Sequence, residues 1–482
     1  MESQKIILML FNKRENQVKK SVLSTAILSA IVLSGCGGSS DSGDESGSVQ
    51  GRTITVIDGY LENAQVCVDR NENGVCDDGE VIGKTNSNGQ FTIPVSDKDY
   101  PVIIRSIAGS TKDADRVGYL TKSYEMTADS SSNLVTPFTT LADANGISVE
   151  DLAKDLNLDS SVISGDYVSL KSDADKAEDA IKAHALARSL VQELPTEATN
   201  INGSEMKQTA SDINGAIDEH YGNTGDINEI DNNDFVLADD GKFEVVAVIN
   251  DLQSYLIKGN VDKDSPTSKW TLANFSKYWA AEEGVFDAWL TTDSLCVEEG
   301  GQIECMNYRI NGDVLSIPSE DGKEENNAFI YTSTDLAFAV PDEGDLTLWT
   351  TNDLTTSMNF SQTDFENKTL FTVMDDSDTS ASEPVYGEFR FGKFDENTQT
   401  GEVTLIEDGE EYPTTWSLPN GNLRIEFDQQ AGDNPLVIRY ATTNGEIMIV
   451  NDVDQHADVY AMMTQDEALA LNIVAKWENA SK

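Results

Sequence analysis

Residues 64–80 read Ala64-Gln-Val-Cys67-Val-Asp69-Arg-Asn71-Glu-Asn73-Gly74-Val75-Cys76-Asp77-Asp-Gly-Glu80. Counted from Asp69, side-chain oxygens fall at positions 1, 3, 5, 9 and 12, with glycine at 6 and the Val75 carbonyl at 7. A hard divalent cation such as calcium takes an all-oxygen shell of this kind. The glycine permits the sharp turn, and the last carboxylate can grip the ion with both oxygens. The spacing therefore predicts a calcium loop formed by Asp69, Asn71, Asn73, Val75, Asp77 and Glu80. What flanks the loop decides the fold. Thr53–Ile57, Ala64–Val68, Gln90–Val95 and Tyr100–Arg105 are short β-rich runs divided by Gly, Asn and Asp turns. Asn88-Gly89 supplies the dipeptide of a type I′ hairpin. A cation loop carried between strands predicts a small β-sandwich over residues 52–130.

Working outward, residues 131–265 change to helical periodicity. Ser148 caps a helix through Asp151, Leu152 and Leu156. Ser172 and Asp173 open a longer one with the stripe Ala177, Ile181, Leu186, Leu190 and Leu194, ended by Pro195. Two further helices are expected, Met206–His220 and Phe243–Ile257, the second facing inward through Val246, Ile249, Leu252 and Leu256. An acidic loop over 224–240 joins them. These stripes read as core.

Residues 266–482 are β-rich and carry a weak internal repeat. Tyr308–Ile317 matches Trp416–Ile425, each an aromatic strand followed by an Asn-Gly turn. Asn327–Tyr331 with Asp335–Ala339 parallels Pro435–Tyr440 with Glu446–Ile449. Two such halves are expected to close into one antiparallel barrel or to pack as a sandwich, removing free edges. A short helix over Thr464–Trp477 packs on an end. Trp270, Trp279, Trp289, Trp349 and Trp416 are either the core of this region or platforms for sugar stacking. The fold class is multidomain α+β, mainly β: an N-terminal β-sandwich, a central helical segment and a C-terminal β-barrel or sandwich of two repeats.

Asp and Glu number 85 against 33 Lys and Arg, a formal net charge of −52. Residues 1–35 hold Lys5, Lys13, Arg14, Lys19 and Lys20 against Glu2 and Glu15, so the chain from Cys36 onward carries about −55. Such a surface repels nucleic acid and anionic lipid and suits a saline exterior. Val22–Leu33 is an apolar run of about a dozen residues, too short to span a bilayer. It follows Lys19-Lys20 and ends in Leu33-Ser34-Gly35-Cys36. Val18 before the lysine pair is the expected initiator.

That ending resembles the lipobox of bacterial lipoproteins. The resemblance implies removal of residues 1–35 and diacylglycerol on the Cys36 thiol. Gly37 stands where the family's inner-membrane retention signal has Asp, which points to the outer membrane. Residues 37–51, rich in Gly, Ser and acids, then form a flexible tether. With Cys36 lipidated, the four remaining cysteines fall into two close pairs, Cys67/Cys76 and Cys296/Cys305, which an oxidising compartment would bond. A four-thiol metal site is the rival reading, disfavoured by the distance between the pairs and the scarcity of His.

The loop has the EF-hand spacing, but on strands. Val56–Glu80 followed by Thr85–Phe91 resembles the Cna-B or carboxypeptidase-regulatory-like β-sandwich found near the N-terminus of bacterial surface lipoproteins. Val135-Thr-Pro-Phe-Thr-Thr-Leu141 resembles the segment that often trails it, so the likeness covers about residues 52–195. Some relatives are mucin-degrading metalloproteases, but their His-Glu-x-x-His is missing: His184, His220 and His456 precede Ala, Tyr and Ala. Gly79–Thr85 is one residue short of a phosphate loop, and no Gly-x-Ser-x-Gly occurs. The C-terminal half is lipocalin-like in its strand rhythm. The expectation is a non-enzymatic, lipid-anchored envelope protein that binds glycan or protein at the cell surface. A lipocalin-like periplasmic carrier of a small apolar ligand is the alternative.

Overall fold

The structure is a computed structural model describing residues 51–481, apart from 239–240, 259–262, 264–265, 279, 281–283, 300–301, 319–323, 355, 357, 378, 408–409, 427–434 and 453–458. The leader, Cys36, the tether up to residue 50, Trp279 and His456 lie outside the described residues.

Alternation along short strands builds the N-terminal unit. Its strands are β1 (Arg52–Val56), β2 (Leu61–Glu62), β3 (Gln65–Val68), β4 (Val81–Lys84), β5 (Gln90–Ile93), β6 (Val102–Ser106), β7 (Lys112–Asp113), β8 (Tyr124–Ala128) and β9 (Leu134–Val135). They form sheets ordered β5-β1-β9 and β4-β3-β6-β8, with β2 paired to β7. Ile54 and Val56 of one sheet face Val66, Val68, Val102, Ile104 and Met126 of the other, so this is the expected sandwich. The Asn86–Gln90 turn differs from expectation. β4 pairs with β3 and β5 with β1, so the turn crosses between sheets and is not a hairpin. Gly89 takes φ +69 while Asn88 does not take a positive φ, and a type I′ turn needs both.

Seven helices follow: α1 (Pro137–Asn145), α2 (Val149–Leu156), α3 (Ser160–Ile163), α4 (Tyr167–Leu170), α5 (Ala177–Leu190), α6 (Gly203–Thr224) and α7 (Ile227–Asp231). Thr136 caps α1 with a capping box, Ser148 caps α2 as expected, and Asn157 ends α2 at φ 56. Ala180, Ala183 and Ala187 of α5 admit close neighbours, so it is buried on most sides, against Phe138, Tyr167, Ile213 and Phe235.

Phe243–Ile257 is not a helix. β10 (Asn233–Leu237) and β11 (Phe243–Ala247) form a hairpin, and only α8 (Leu252–Leu256) is helical. Val245 and Val246 are adjacent and β-branched, which favours an extended strand. Both are exposed, so the three-to-four spacing of Val246, Ile249, Leu252 and Leu256 marks no single face. The 224–240 stretch holds α7 and β10 where a loop was expected. α8 leaves the helical core: Leu252, Tyr255 and Leu256 pack into the β region that follows.

That region contains two rings. The first is a nine-stranded antiparallel sheet comprising β12 (Trp270–Asn274), β13 (Phe286–Leu290), β14 (Ser294–Glu299), β15 (Gln302–Asn307), β16 (Arg309–Asn311), β17 (Val314–Pro318), β18 (Glu324–Thr332), β19 (Leu336–Pro341) and β20 (Thr347–Thr350). β20 returns to β12, leaving the ring open only between β15 and β16. The second is a closed barrel of β21 (Thr369–Asp375), β22 (Pro384–Asp395), β23 (Thr400–Glu407), β24 (Glu410–Ser417), β25 (Leu423–Ile425), β26 (Leu436–Thr443), β27 (Ile447–Asp452) and β28 (Tyr460–Thr464). α9 (Glu467–Ala480) follows.

The repeat falls at matching places in the two rings, β16–β19 and β24–β27. The halves therefore do not share one barrel: the second ring closes on its first strand, while the first pairs β20 with β12 and keeps β15 and β16 as its edge strands. Strand β19 explains how the rings join. Ala337 and Ala339 point into the first ring, while Leu336, Phe338 and Val340 meet Phe371, Val373, Ile447, Ile449 and Met462 on the outside of the second. A strand buried on both faces reads as continuous apolar sequence. Trp477 of α9 closes the seam, edge-on to Phe275 and donating its indole N–H to the Gly344 carbonyl at 2.8 Å.

Trp477→Ala would leave a cavity where both rings and α9 meet. The expected loss is about 3–5 kcal/mol in chemical denaturation. Unchanged unfolding of the C-terminal region would mean that the seam contributes nothing to its stability.

Candidate functional site

β3 delivers Val66 and Val68 to the sandwich core and buries Asp69, and the chain becomes exposed from Arg70, one residue into the loop. The predicted loop residues are brought together. Asp69 accepts from the Asn73 N–H at 3.1 Å and the Gly74 N–H at 2.8 Å. Asn71 Oδ1 accepts from Asn73 N–H at 3.0 Å, and Asn73 Oδ1 from Val75 N–H at 2.8 Å. Gly74 takes φ +77, the turn its position requires. The Asn71 and Asn73 amides both donate to one oxygen of Asp77, at 2.8 and 2.9 Å. Glu80 folds back, accepting from Arg70 N–H at 2.8 Å and Asp77 N–H at 3.2 Å. The Val75 side chain is exposed, in keeping with a residue whose contribution is its carbonyl.

Backbone donors hold Asp69, Asn71, Asn73 and Glu80, and the two asparagine amides hold Asp77, so the loop gathers five oxygen-bearing side chains of the type a calcium ion takes. Among the described residues no group of three or more His, Cys, Asp and Glu is placed to hold a metal. A cation here would therefore depend on Asn71, Asn73 and the Val75 carbonyl as much as on the three carboxylates.

Both expected disulfides are present. Cys67–Cys76 ties the loop to its own strand, and Cys296–Cys305 joins directly opposed residues of β14 and β15. Each closes a loop of ten residues, worth about 2–3 kcal/mol in the chain-entropy account. Trp270, Trp289, Trp349 and Trp416 are all buried and belong to the core, so they offer no exposed platforms. Among the described residues, aromatic side chains pack inside both rings. Trp270, Phe329 and Trp349 occupy the first, and Phe365, Phe389, Phe391 and Trp416 the second. Over the second lies an open polar groove of about 860 Å³ lined by Glu366, Lys393, Asp395, Glu402 and their neighbours.

A second constellation was not anticipated. Arg188 of α5 is 1% exposed. It donates to Asp234 Oδ1 at 3.0 Å, to the Asp231 and Asn233 carbonyls at 2.9 and 3.1 Å, and to His184 Nδ1 at 3.2 Å. Because Nδ1 faces a guanidinium, it is the acceptor of a neutral ring. Nε2 therefore carries the proton, 2.7 Å from Asp115 Oδ2. Burial, with the Arg188 charge, lowers the His184 pKa against the pull of Asp115. Although burial works to raise Asp115, the His184 contact and the Arg188 and Lys171 charges hold it below the usual range.

Arg116 bridges Asp234 Oδ2 at 2.7 Å and Asp113 at 3.4 Å. Asp58, fully buried, accepts from the Tyr124 hydroxyl at 3.2 Å. Gly59 is pressed against these acids, and a Cβ there would stand 2.3 Å from Asp113 Oδ1 and 2.7 Å from Asp115 Oδ2. The signal that could have revealed the cluster was His184 and Arg188, one turn apart inside an apolar helix.

No protein-family model, no curated protein and no solved structure matches the chain.

Replacing Arg188 by Met would leave Asp234 Oδ1 and two carbonyls without their donor, with Arg116 alone left to balance Asp234. A loss of about 3–5 kcal/mol is expected, the scale for breaking a buried pair from one side. Lys154→Ala, at the exposed pair with Asp151, should leave the melt unchanged. Equal effects of the two substitutions would refute the ranking.

Proposed function

We propose that this chain is a lipid-anchored envelope protein displayed on the outer membrane. It would bind a glycan or protein partner through its C-terminal rings, and a structural calcium ion would brace the sandwich nearest the anchor. The observation that carries this reading is the aromatic packing inside both rings among the described residues, which points recognition to outer surfaces such as the groove over the second ring. The lipobox-like Leu33–Cys36 and the Asp69–Glu80 spacing support the anchor and the ion. The up-and-down strand order of both rings favours a second reading, a lipocalin-like carrier of a small apolar ligand. The Phe and Trp filling argues against it, since a carrier needs an apolar cavity.

Two experiments test the proposal. In protease shaving of intact cells, an antibody to the region from Lys269 onward should lose its signal while a periplasmic control survives. Protection of that region would sink surface display and send the search to periplasmic ligands. For the ion, the extracellular affinity range of about 10⁻⁴–10⁻³ M implies roughly 1.4–2.7 kcal/mol of stabilisation at about 10 mM calcium. Calorimetry of the whole chain should show a sandwich transition that rises with calcium and falls with chelator. Joint Asp69→Ala and Glu80→Ala substitution should abolish the response, and identical melts with and without calcium would remove the site.

A further inference from the structure

Asp58, Asp113, Asp115 and Asp234 share the junction between sandwich and helices with two guanidiniums, Arg116 and Arg188. The neighbouring Lys171–Asp231 pair is neutral in sum. With His184 neutral, full ionisation would leave two negative charges uncompensated in the interior. Buried charges without partners are relieved by binding protons. The geometry singles out Asp58 for that role. It is fully buried, Oδ2 is met only by a hydroxyl, and Oδ1 has no hydrogen-bond partner among the described residues.

Every element packed around Asp58 contributes charge or polarity. Asp113 comes from β7, Asp115 and Arg116 from the turn after it, Tyr124 from β8 and Asp234 from β10. Tyr167 comes from α4, and His184 with Arg188 reaches the same cluster from α5. The helical unit is seated at this point, for Tyr167 donates to the carbonyl of Ile57, next to Asp58, at 2.7 Å.

We propose that Asp58 is a proton-operated latch between the β-sandwich and the helical unit: protonated, it lets the two seat together, and ionised, it loosens them. Burial, then repulsion from Asp113, carries the Asp58 pKa well above the ordinary value, and burial with Asp115 lifts Asp113 to about 6. Both carboxyls therefore hold protons in the folded state that the unfolded chain has released. Their contribution to stability is present at low pH and is lost as pH rises through the folded values. His184 acts in the opposite sense. Its lowered pKa makes acidification below about 6.5 unfavourable to the folded state.

The test uses the full chain at high salt, which screens repulsion among surface acids. Limited proteolysis within 107–123, the segment carrying Asp113, Asp115 and Arg116, is followed from pH 5 to pH 9. Cleavage should accelerate by up to about tenfold per pH unit between the ordinary carboxylate range and the raised Asp58 value, and level off above it. In Asp58→Asn, which mimics the protonated acid, the rise should shrink to what Asp113 contributes up to about pH 6, and the melting temperature at pH 9 should exceed the wild-type value. Equal pH slopes in the two proteins would overturn the latch. So would a wild-type slope abolished by added calcium or magnesium, which would assign the charge balance to a cation. Should Asp58→Asn fail to fold, infrared difference spectra of the wild type decide the matter: a protonated-carboxyl band persisting above about pH 7, beyond the Asp113 titration near 6, supports the latch, and its absence refutes it.

Discussion

A guanidinium with no access to water must find an acceptor for each N–H, and at Arg188 those acceptors come from another part of the chain: Asp234 and the Asp231 and Asn233 carbonyls. Because Asp234 also binds Arg116, and Arg116 binds Asp113, one buried charge fixes α5, the β10 hairpin and the 107–123 segment of the sandwich to each other. Such a network is worth little against a well-packed apolar replacement, but it is demanding about geometry. Its role is to define one orientation of the helical unit on the sandwich.

The 107–123 segment carries that order onward. Lys112 pairs with Asp313 on the first ring, Val117 bonds Ile249 and Thr332, and Ser123 donates to Asp466 at the start of α9. Asn472 of α9 reaches back to the Ala108 carbonyl. The segment between β6 and β8 therefore reaches the helical region, the first ring and α9, and α9 in turn fills the seam between the rings. Hydrophobic area holds the rings together, while directional bonds made by the loop set where they sit.

Local information made part of this legible. The calcium-type loop could be read because its donors are contiguous and fixed in number. The sandwich could be read from alternation in Thr53–Ile57 and Gln90–Val95, and the repeat from its Asn-Gly turns. The junction was hidden because Asp58, Asp115, His184 and Asp234 are far apart in sequence and no local spacing relates them. The β10–β11 hairpin was hidden by an accident of spacing at Val246, Ile249 and Leu252. The two-ring arrangement did leave a mark. Leu336-Ala-Phe-Ala-Val340 is apolar at every position, and only a strand covered on both sides can be so.

The calcium-type loop and the buried acids are closer in the fold than in sequence. Gly74 at the loop's turn lies against Thr199, since a Cβ there would stand 3.3 Å from its Cγ2. Ala198, one residue before Thr199, donates to Glu125, and the Glu125 N–H in turn donates to Pro195. Glu125 is the neighbour on β8 of Tyr124, whose hydroxyl meets Asp58. An ion that tightened the loop would press on the 195–201 segment and through it on the strand that positions the Asp58 partner.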